Sequence, residues 1–307
     1  MGRVKELIIE QLTSCNGSVG ELLEHINAQR GKMLRSGLVL LSGSCQGKIT
    51  DQHIRVAAAA EIIHTATLLH DDVIDEGQKR RGLPTINILR GNESAVLLGD
   101  FLLSKASVIC ADLEPRVNKT IAVTTARVCE GELRQVIQRQ NWHLSESEYI
   151  DIITEKSASF FSSCCYLGGL LAEASEACVQ SLACFGRNTG IAFQITDDLL
   201  DIIGDESKTG KTLGSDADKN KLTLAVIHLL NQTDEKGKEV IKSKLNAGVE
   251  GKKDVAEMLT LSGSLEYAHK CAEEFVDKAI AALADFKESD AKDALIETAR
   301  FVVSRGV

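Results

Sequence analysis

A chain of 307 residues with only two prolines, Pro84 and Pro115, has long stretches in which nothing interrupts a helix. Ala, Leu, Glu and Lys are abundant, and alternating β-branched runs are few, so helix is favoured almost throughout. From Gln52 to Asp75 the apolar residues Ile54, Ala57, Ala58, Ile62, Ala66, Leu69 and Val73 keep the rhythm of an amphipathic helix with a widened stripe. Further helices are predicted over 93–112, 117–140, 146–173, 176–203, 220–231, 234–247, 251–261, 264–284 and 290–304. Short polar breaks separate them at Asn87–Asn92, Asp112–Arg116, Asn141–Ser145, Gly204–Ser215 and Ala247–Lys252. No change of composition marks a linker and no repeat is visible, so the prediction is all-α, one domain spanning 1–307. Two segments, 95–111 and 158–174, are rich in Ala, Leu, Ser, Gly and Cys. Helices apolar on most faces lie inside a protein, either at the centre of a large bundle or as the wall of an apolar cavity.

Charge and cysteine content exclude several classes. Thirty-five Lys and Arg against 44 Asp and Glu give a net charge of −9, which does not attract polyanions globally. Aromatics are 4%, a poor supply for stacking bases, so no nucleic-acid partner is predicted. The nine cysteines are odd in number and contain no CxxC, which disfavours a zinc site and a disulfide framework. Buried thiols in a reducing cytoplasm are the reading. MGRVKELIIEQL carries charge too early for a signal peptide, and Glu6 stands where myristoylation needs Ser or Thr. No apolar run reaches the length of a membrane span.

Chemistry concentrates in two acidic clusters. Asp71, Asp72 and Asp75 share one face of a helix at i,i+3 and i,i+4 spacing, where like charges repel. Asp197, Asp198 and Asp201 repeat the pattern more than a hundred residues later. A lone DDxxD is usually a solvated charged face, but both copies here are bracketed by apolar runs, TATLL before one and GIAFQIT before the other. All-oxygen ligands suit Mg²⁺, which keeps waters and binds through carboxylates together with substrate phosphates. Calcium is disfavoured because no EF-hand spacing is present. Two facing carboxylate helices would hold a cluster of roughly two or three magnesium ions around a diphosphate.

Basic residues stand near both clusters. Lys32 and Arg35 are i,i+3; Arg80 and Arg81 follow the first cluster; Lys156 begins a small-residue helix; Lys211 and Lys221 follow the second cluster. Singly each reads as surface charge, but as a set they supply anion sites. His64 lies two turns before Asp71 on nearly the same face, and by itself is as well read as packing as function.

Together, DDVIDEGQKRRG (71–82) and FQITDDLLDIIGDESKTGKTLGSD (193–216) resemble the trans-isoprenyl diphosphate synthase (polyprenyl synthetase) family, over nearly the whole chain from Gly31 to Arg305. The resemblance implies the isoprenoid synthase fold, a helical bundle around a deep apolar cavity, in a homodimer. It implies that Asp71, Asp72, Asp75, Asp197, Asp198 and Asp201 bind Mg²⁺, with Asp197 the most direct ligand of the second set. Arg80, Lys156, Lys211 and Lys221, with Ser157 and Gln194 beside them, match positions that hold an allylic diphosphate. Lys32, Arg35, His64 and Arg81 match positions that hold isopentenyl diphosphate. Two departures stand out: RGKMLRSG replaces the family's GGKRxRP, and NKLTLA replaces GKxTLP, so Arg30, Ser36 and Ala225 stand where glycine or proline is usual.

The implied reaction needs no protein nucleophile. Metal ions and basic residues, Lys156 among them, stabilise the departing diphosphate, and the double bond of isopentenyl diphosphate attacks the resulting allylic cation. A proton is then lost to the released diphosphate, and an apolar tunnel excludes water. The allylic primer is dimethylallyl, geranyl or farnesyl diphosphate. One turn below the first motif, about 5.4 Å along the helix, Ala66 and Thr67 are the first residues able to floor that tunnel. Short-chain members commonly carry an aromatic there, so small residues predict a product longer than farnesyl. The alternatives are a geranylgeranyl or farnesyl diphosphate synthase, a terpene cyclase, a non-catalytic subunit of a heteromeric synthase, and a plain helical interaction protein.

Overall fold

The computed structural model describes residues 1–13, 17–29, 31–203 and 221–305. Helices make up nearly all of it. They are α1 (Gly2–Leu12), α2 (Gly17–Ala28), α3 (Leu34–Ser44), α4 (Asp51–Ile74), α5 (Ile86–Cys110), α6 (Pro115–Ile137), α7 (Glu146–Ile153), α8 (Ser159–Leu171), α9 (Glu176–Ile203), α10 (Leu224–Asn231), α11 (Glu235–Leu245), α12 (Gly248–Leu261), α13 (Ser264–Ala281) and α14 (Asp290–Ser304). Local chemistry sets several ends. Pro115 opens α6, where its missing N–H would have had no partner. Ser145 and Glu148 form a reciprocal capping box at α7. Gly263, at φ 70°, separates α12 from α13.

Helix α4 is the axis of the molecule. Residues 57–60 are four consecutive alanines, all buried, so neighbours approach it from every side. It packs on α5, α3, α1 and α8. Arg55 Nε donates to the Ile109 carbonyl at 2.8 Å, and His70 Nε2 lies 3.1 Å from the Val96 carbonyl, so α4 and α5 run antiparallel. Helix α8 packs on α9 and α3, and α9 carries α13 on another side. No helix among the described residues is long and apolar enough to cross a membrane.

Four features differ from the sequence-based expectation. Three helices not predicted from the sequence, α1 to α3, occupy the N-terminal region, where Val4, Ile8 and Leu12 of α1 are buried at i,i+4 spacing. The break predicted at Asn87–Asn92 is a kink inside α5, at Gly91 with φ 83°. The single helix predicted over 146–173 is interrupted by a π-helical turn, Thr154–Ala158, which carries Lys156 and Ser157. A two-residue hairpin joins the short strands β1 (Lys79–Arg80) and β2 (Leu83–Pro84), with positive φ at Arg81 (52°) and Gly82 (78°) as such tight turns require. The break predicted at Gly204–Ser215 lies outside the described residues. Of the thiols, Cys110, Cys164 and Cys165 are buried, whereas Cys129 and Cys184 are exposed.

Glycines set the closest helix contacts. A Cβ on Gly168 of α8 would sit 2.3 Å from the Val39 carbonyl oxygen of α3, which is backbone and has nowhere to move locally. A Cβ on Gly37 of α3 would meet nothing within 4 Å. Gly168→Ala is therefore expected to destabilise the protein by about 1–3 kcal/mol through overpacking. Gly37→Ala is expected to be neutral or slightly stabilising. Thermal melts followed by circular dichroism check both.

Candidate active site

The end of α4 and the hairpin after it build the first half of the site. Asp72 is buried, and Arg80 grips it with Nη2–Oδ1 at 2.8 Å and Nε at 3.1 and 3.2 Å from its two oxygens. The hairpin turn aims Arg80 back at the helix. Burial alone would lower the Arg80 guanidinium; the Asp72 pair, with Asp71 and Asp197 beyond it, holds it above its ordinary value instead. Asp75 caps α4 and accepts from Lys221 Nζ at 2.9 Å and Arg139 Nη2 at 3.1 Å. Lys221 follows the second aspartate cluster in sequence and Asp75 belongs to the first, so this buried ion pair ties the two regions together across 146 residues. Asp71 is pushed up to about 6, first by burial and further by Glu132 and Asp75, against the pull of Lys156 and Arg80.

The second half comes from the π-helical turn and α9. The turn fits because Gly131 on α6 has no side chain: a Cβ there would lie 2.3 Å from the Lys156 backbone nitrogen. Lys156 Nζ reaches Glu132 Oε2 at 2.7 Å and donates to Gln135 Oε1 at 2.8 Å. Ser157 Oγ donates to Gln194 at 2.6 Å, and Gln194 Nε2 donates to Asp198 Oδ1 at 2.7 Å. Tyr149 OH donates to the other Asp198 oxygen at 2.6 Å. Asp197 acts electrostatically on Arg35, Arg80 and Arg305, so it faces the same region as the first cluster. Lys211 lies outside the described residues.

The four residues matched to isopentenyl diphosphate come from the start of α3 and the residues just before it, from α4 and from the hairpin. His64 and Arg81 line a pocket with Gly31, Glu61, Asp72 and Arg80. Arg81, in its left-handed turn, donates to the Gln29 carbonyl. Arg35 is half-buried against the rings of Phe160 and Phe161, 5.1 and 5.2 Å from their centres. Burial lowers its guanidinium, offset in part by Glu61, Asp71 and Asp197. Lys32 stands over Phe301 at 4.4 Å. Ser36 explains one departure from the family pattern: its N–H donates to Glu61 at 2.9 Å and its hydroxyl to the Ala57 carbonyl at 2.8 Å, and a proline could make neither bond.

On the N-terminal side of the first aspartates, three helices enclose a narrow, mostly apolar pocket, the shaft. Val56, Ala60 and Ile63 of α4 line it, with Ile121, Thr124 and Thr125 of α6 and Phe160, Ser163, Cys164 and Leu167 of α8. Thr67 stands one turn above Ile63 on this face, whereas Ala66 follows His70 down the face that meets α5. Neither Ala66 nor Thr67 is among the lining residues.

Sequence reading did not single out Glu132, Gln135, Arg139, Tyr149 or Arg305. Their signals are visible in retrospect. Glu132, Gln135 and Arg139 follow one another at helical spacing, and Tyr149 lies two turns before Lys156. Arg305 stacks over Phe193 at 4.1 Å, next to the second cluster, and only the fold brings it there.

The helical fold and the paired acidic clusters above an apolar shaft define an isoprenoid synthase. A family model for polyprenyl synthetases matches residues 17–261. The chain is 34% identical to the octaprenyl diphosphate synthase of Escherichia coli, over 99% of this chain and 95% of that one. It is 37% identical to a short chain isoprenyl diphosphate synthase of Methanothermobacter thermautotrophicus, over 92% and 89%. A polyprenyl synthase of Caulobacter crescentus, solved in complex with calcium and isoprenyl diphosphate, superposes with a TM-score of 0.96 at 32% identity, covering 100% of this chain and 95% of that one. The chain belongs to the polyprenyl synthetase family and is a trans-prenyl diphosphate synthase, a prenyltransferase.

The raised Asp71 carboxyl gives a signed prediction for the metal-free protein. A carboxyl held above its unfolded value adds stability at low pH that is lost as pH rises through about 6. Asp71→Asn removes that dependence. In EDTA the variant is expected to melt higher than the parent at pH 7.5, with the gap closing towards pH 4.

Proposed function

We propose that this enzyme condenses isopentenyl diphosphate with dimethylallyl, geranyl or farnesyl diphosphate, using Mg²⁺, to give an all-trans product longer than farnesyl. The observation that carries this reading is the Lys221–Asp75 pair, which brings the chain that follows the second acidic cluster onto the first. The donors are carboxylate oxygens, the set magnesium prefers. Among the described residues no three acidic or His/Cys side chains converge closely enough to hold a metal unaided. That fits ions held jointly by carboxylates, water and substrate phosphate. Asp71, Asp72, Asp75, Asp197 and Asp201 would hold them. Asp198 belongs to the same set, and its hydrogen bonds from Gln194 and Tyr149 orient it.

When bound, the magnesium ions supply positive charge to a diphosphate leaving group. Arg80, Lys156, Lys211 and Lys221 bind the allylic diphosphate and stabilise it as the C–O bond breaks. His64, Arg81, Arg35 and Lys32 bind isopentenyl diphosphate. The new C–C bond forms from its double bond, and a proton passes from the condensed chain to the released diphosphate. The shaft takes the tail and excludes water. From Ile63 to Val56 the lining face of α4 runs for about 10 Å at helical rise, with small Ala60 between them.

Purified protein incubated with Mg²⁺, isopentenyl and farnesyl diphosphates is expected to give products of more than three isoprene units (about twenty carbons or more), sized by chromatography. Asp71→Ala or Asp197→Ala should each lower turnover about a thousand-fold or more without unfolding the protein. Ala60→Phe, inside the shaft, should shorten the product, whereas Ala66→Phe should mainly overpack α4 against α5. An unchanged product from Ala60→Phe would remove the shaft from the account.

We also propose a homodimer through α5 and α6, which expose Val96, Leu97 and Val108, and Val123, Leu133 and Ile137. Sedimentation is expected to give twice the chain mass, and Leu97→Glu to halve it.

A further inference from the structure

The cations around the first cluster are already engaged. Asp72 holds Arg80, Asp75 holds Arg139 and Lys221, and Glu132 holds Lys156. Two of these carboxylates, Asp72 and Asp75, belong to the first aspartate motif. Glu132 does not. It lies on α6, outside both acidic motifs, with a side chain only 13% exposed. Its Oε2 is 2.7 Å from Lys156 Nζ, while its Oε1 is buried with no hydrogen-bond partner. A half-satisfied buried carboxylate is costly, so a purely structural role is a poor account of it. Glutamine would make the same contact to Lys156 without the charge. The charge is felt by the site, since Glu132 is among the groups that oppose ionisation of Asp71.

An incoming diphosphate therefore meets Lys156 already neutralised and a further fixed negative charge beside it. Divalent ions offset both, because they add positive charge where the aspartates and the diphosphate meet. We propose that Glu132 is a positioning residue that makes diphosphate binding conditional on the divalent metal, by holding Lys156 and repelling a metal-free diphosphate. The consequence is ordered loading at the aspartate site: the allylic diphosphate enters with its metal, or hardly at all. This rests on the reading of the site as a diphosphate site.

Inorganic pyrophosphate is the probe, titrated by calorimetry into the purified protein in EDTA and in excess Mg²⁺. The ratio of the two affinities measures the coupling. Glu132→Gln keeps the contact to Lys156 and is expected to reduce the ratio about tenfold, through tighter binding in EDTA. Glu132→Ala should act in the same direction. Gln135→Leu removes the neutral partner of Lys156 and should leave the ratio as in the parent. A parent-like ratio in both Glu132 variants overturns the proposal, as does an equal fall in Gln135→Leu, which would mark a merely structural effect. Failure of the parent protein to bind pyrophosphate even with Mg²⁺ would overturn the diphosphate reading itself, and this inference with it.

Discussion

Compensation of buried carboxylates organises the site. Asp71, Asp72 and Asp75 crowd the end of an otherwise apolar helix, and like charges at that spacing cannot stay there unpaired. Arg80 from the hairpin, Arg139 from beyond α6 and Lys221 from after α9 all converge on them. Each pairing fixes a different element. The hairpin folds back on α4, the end of α6 is drawn to Asp75, and the chain after the second cluster is brought to the first. The same charges that would bind a metal and a diphosphate thus hold the mouth of the site in shape when neither is bound.

Beneath that layer the requirements reverse. The shaft between α4, α6 and α8 is apolar except for three hydroxyls: Thr124 and Ser163 satisfy one another at 2.5 Å, and Thr125 donates to the Ile121 carbonyl at 3.0 Å. A growing hydrocarbon needs such a wall, and a reactive cation needs the exclusion of water that comes with it. Small residues make the geometry possible. Alanines 57–60 allow α4 to be central, Gly168 lets α8 meet α3, and Gly131 lets the π-helical turn approach α6. That wide turn sets the direction of Lys156 and Ser157, and π-helical turns are common at functional sites for this reason.

Much of the fold was legible because its signals are local. The apolar rhythm of α4, the cap at Ser145 and Pro115 at the start of α6 each act within a few residues. The N-terminal helices are short, and although Val4, Ile8 and Leu12 keep i,i+4 spacing, only the packing of α1 and α3 against α4 shows what that stripe covers. The kink at Gly91 was readable as a break but not as a kink, since one glycine with positive φ is compatible with either. Among site residues, the aspartates and the basic set were legible as motifs. Glu132, Arg139 and Tyr149 were not, because a single charged or hydroxyl residue on a helix looks like any surface residue until its neighbour is known.

The sequence by itself determined the helical class, the two acidic clusters and the inventory of basic groups, because helix propensity and charge are properties of residues and their near neighbours. Only the tertiary structure decided which cation meets which carboxylate and which face of α4 borders the shaft. Those choices rest on contacts between residues tens to more than a hundred positions apart, and such contacts are fixed by how the helices pack.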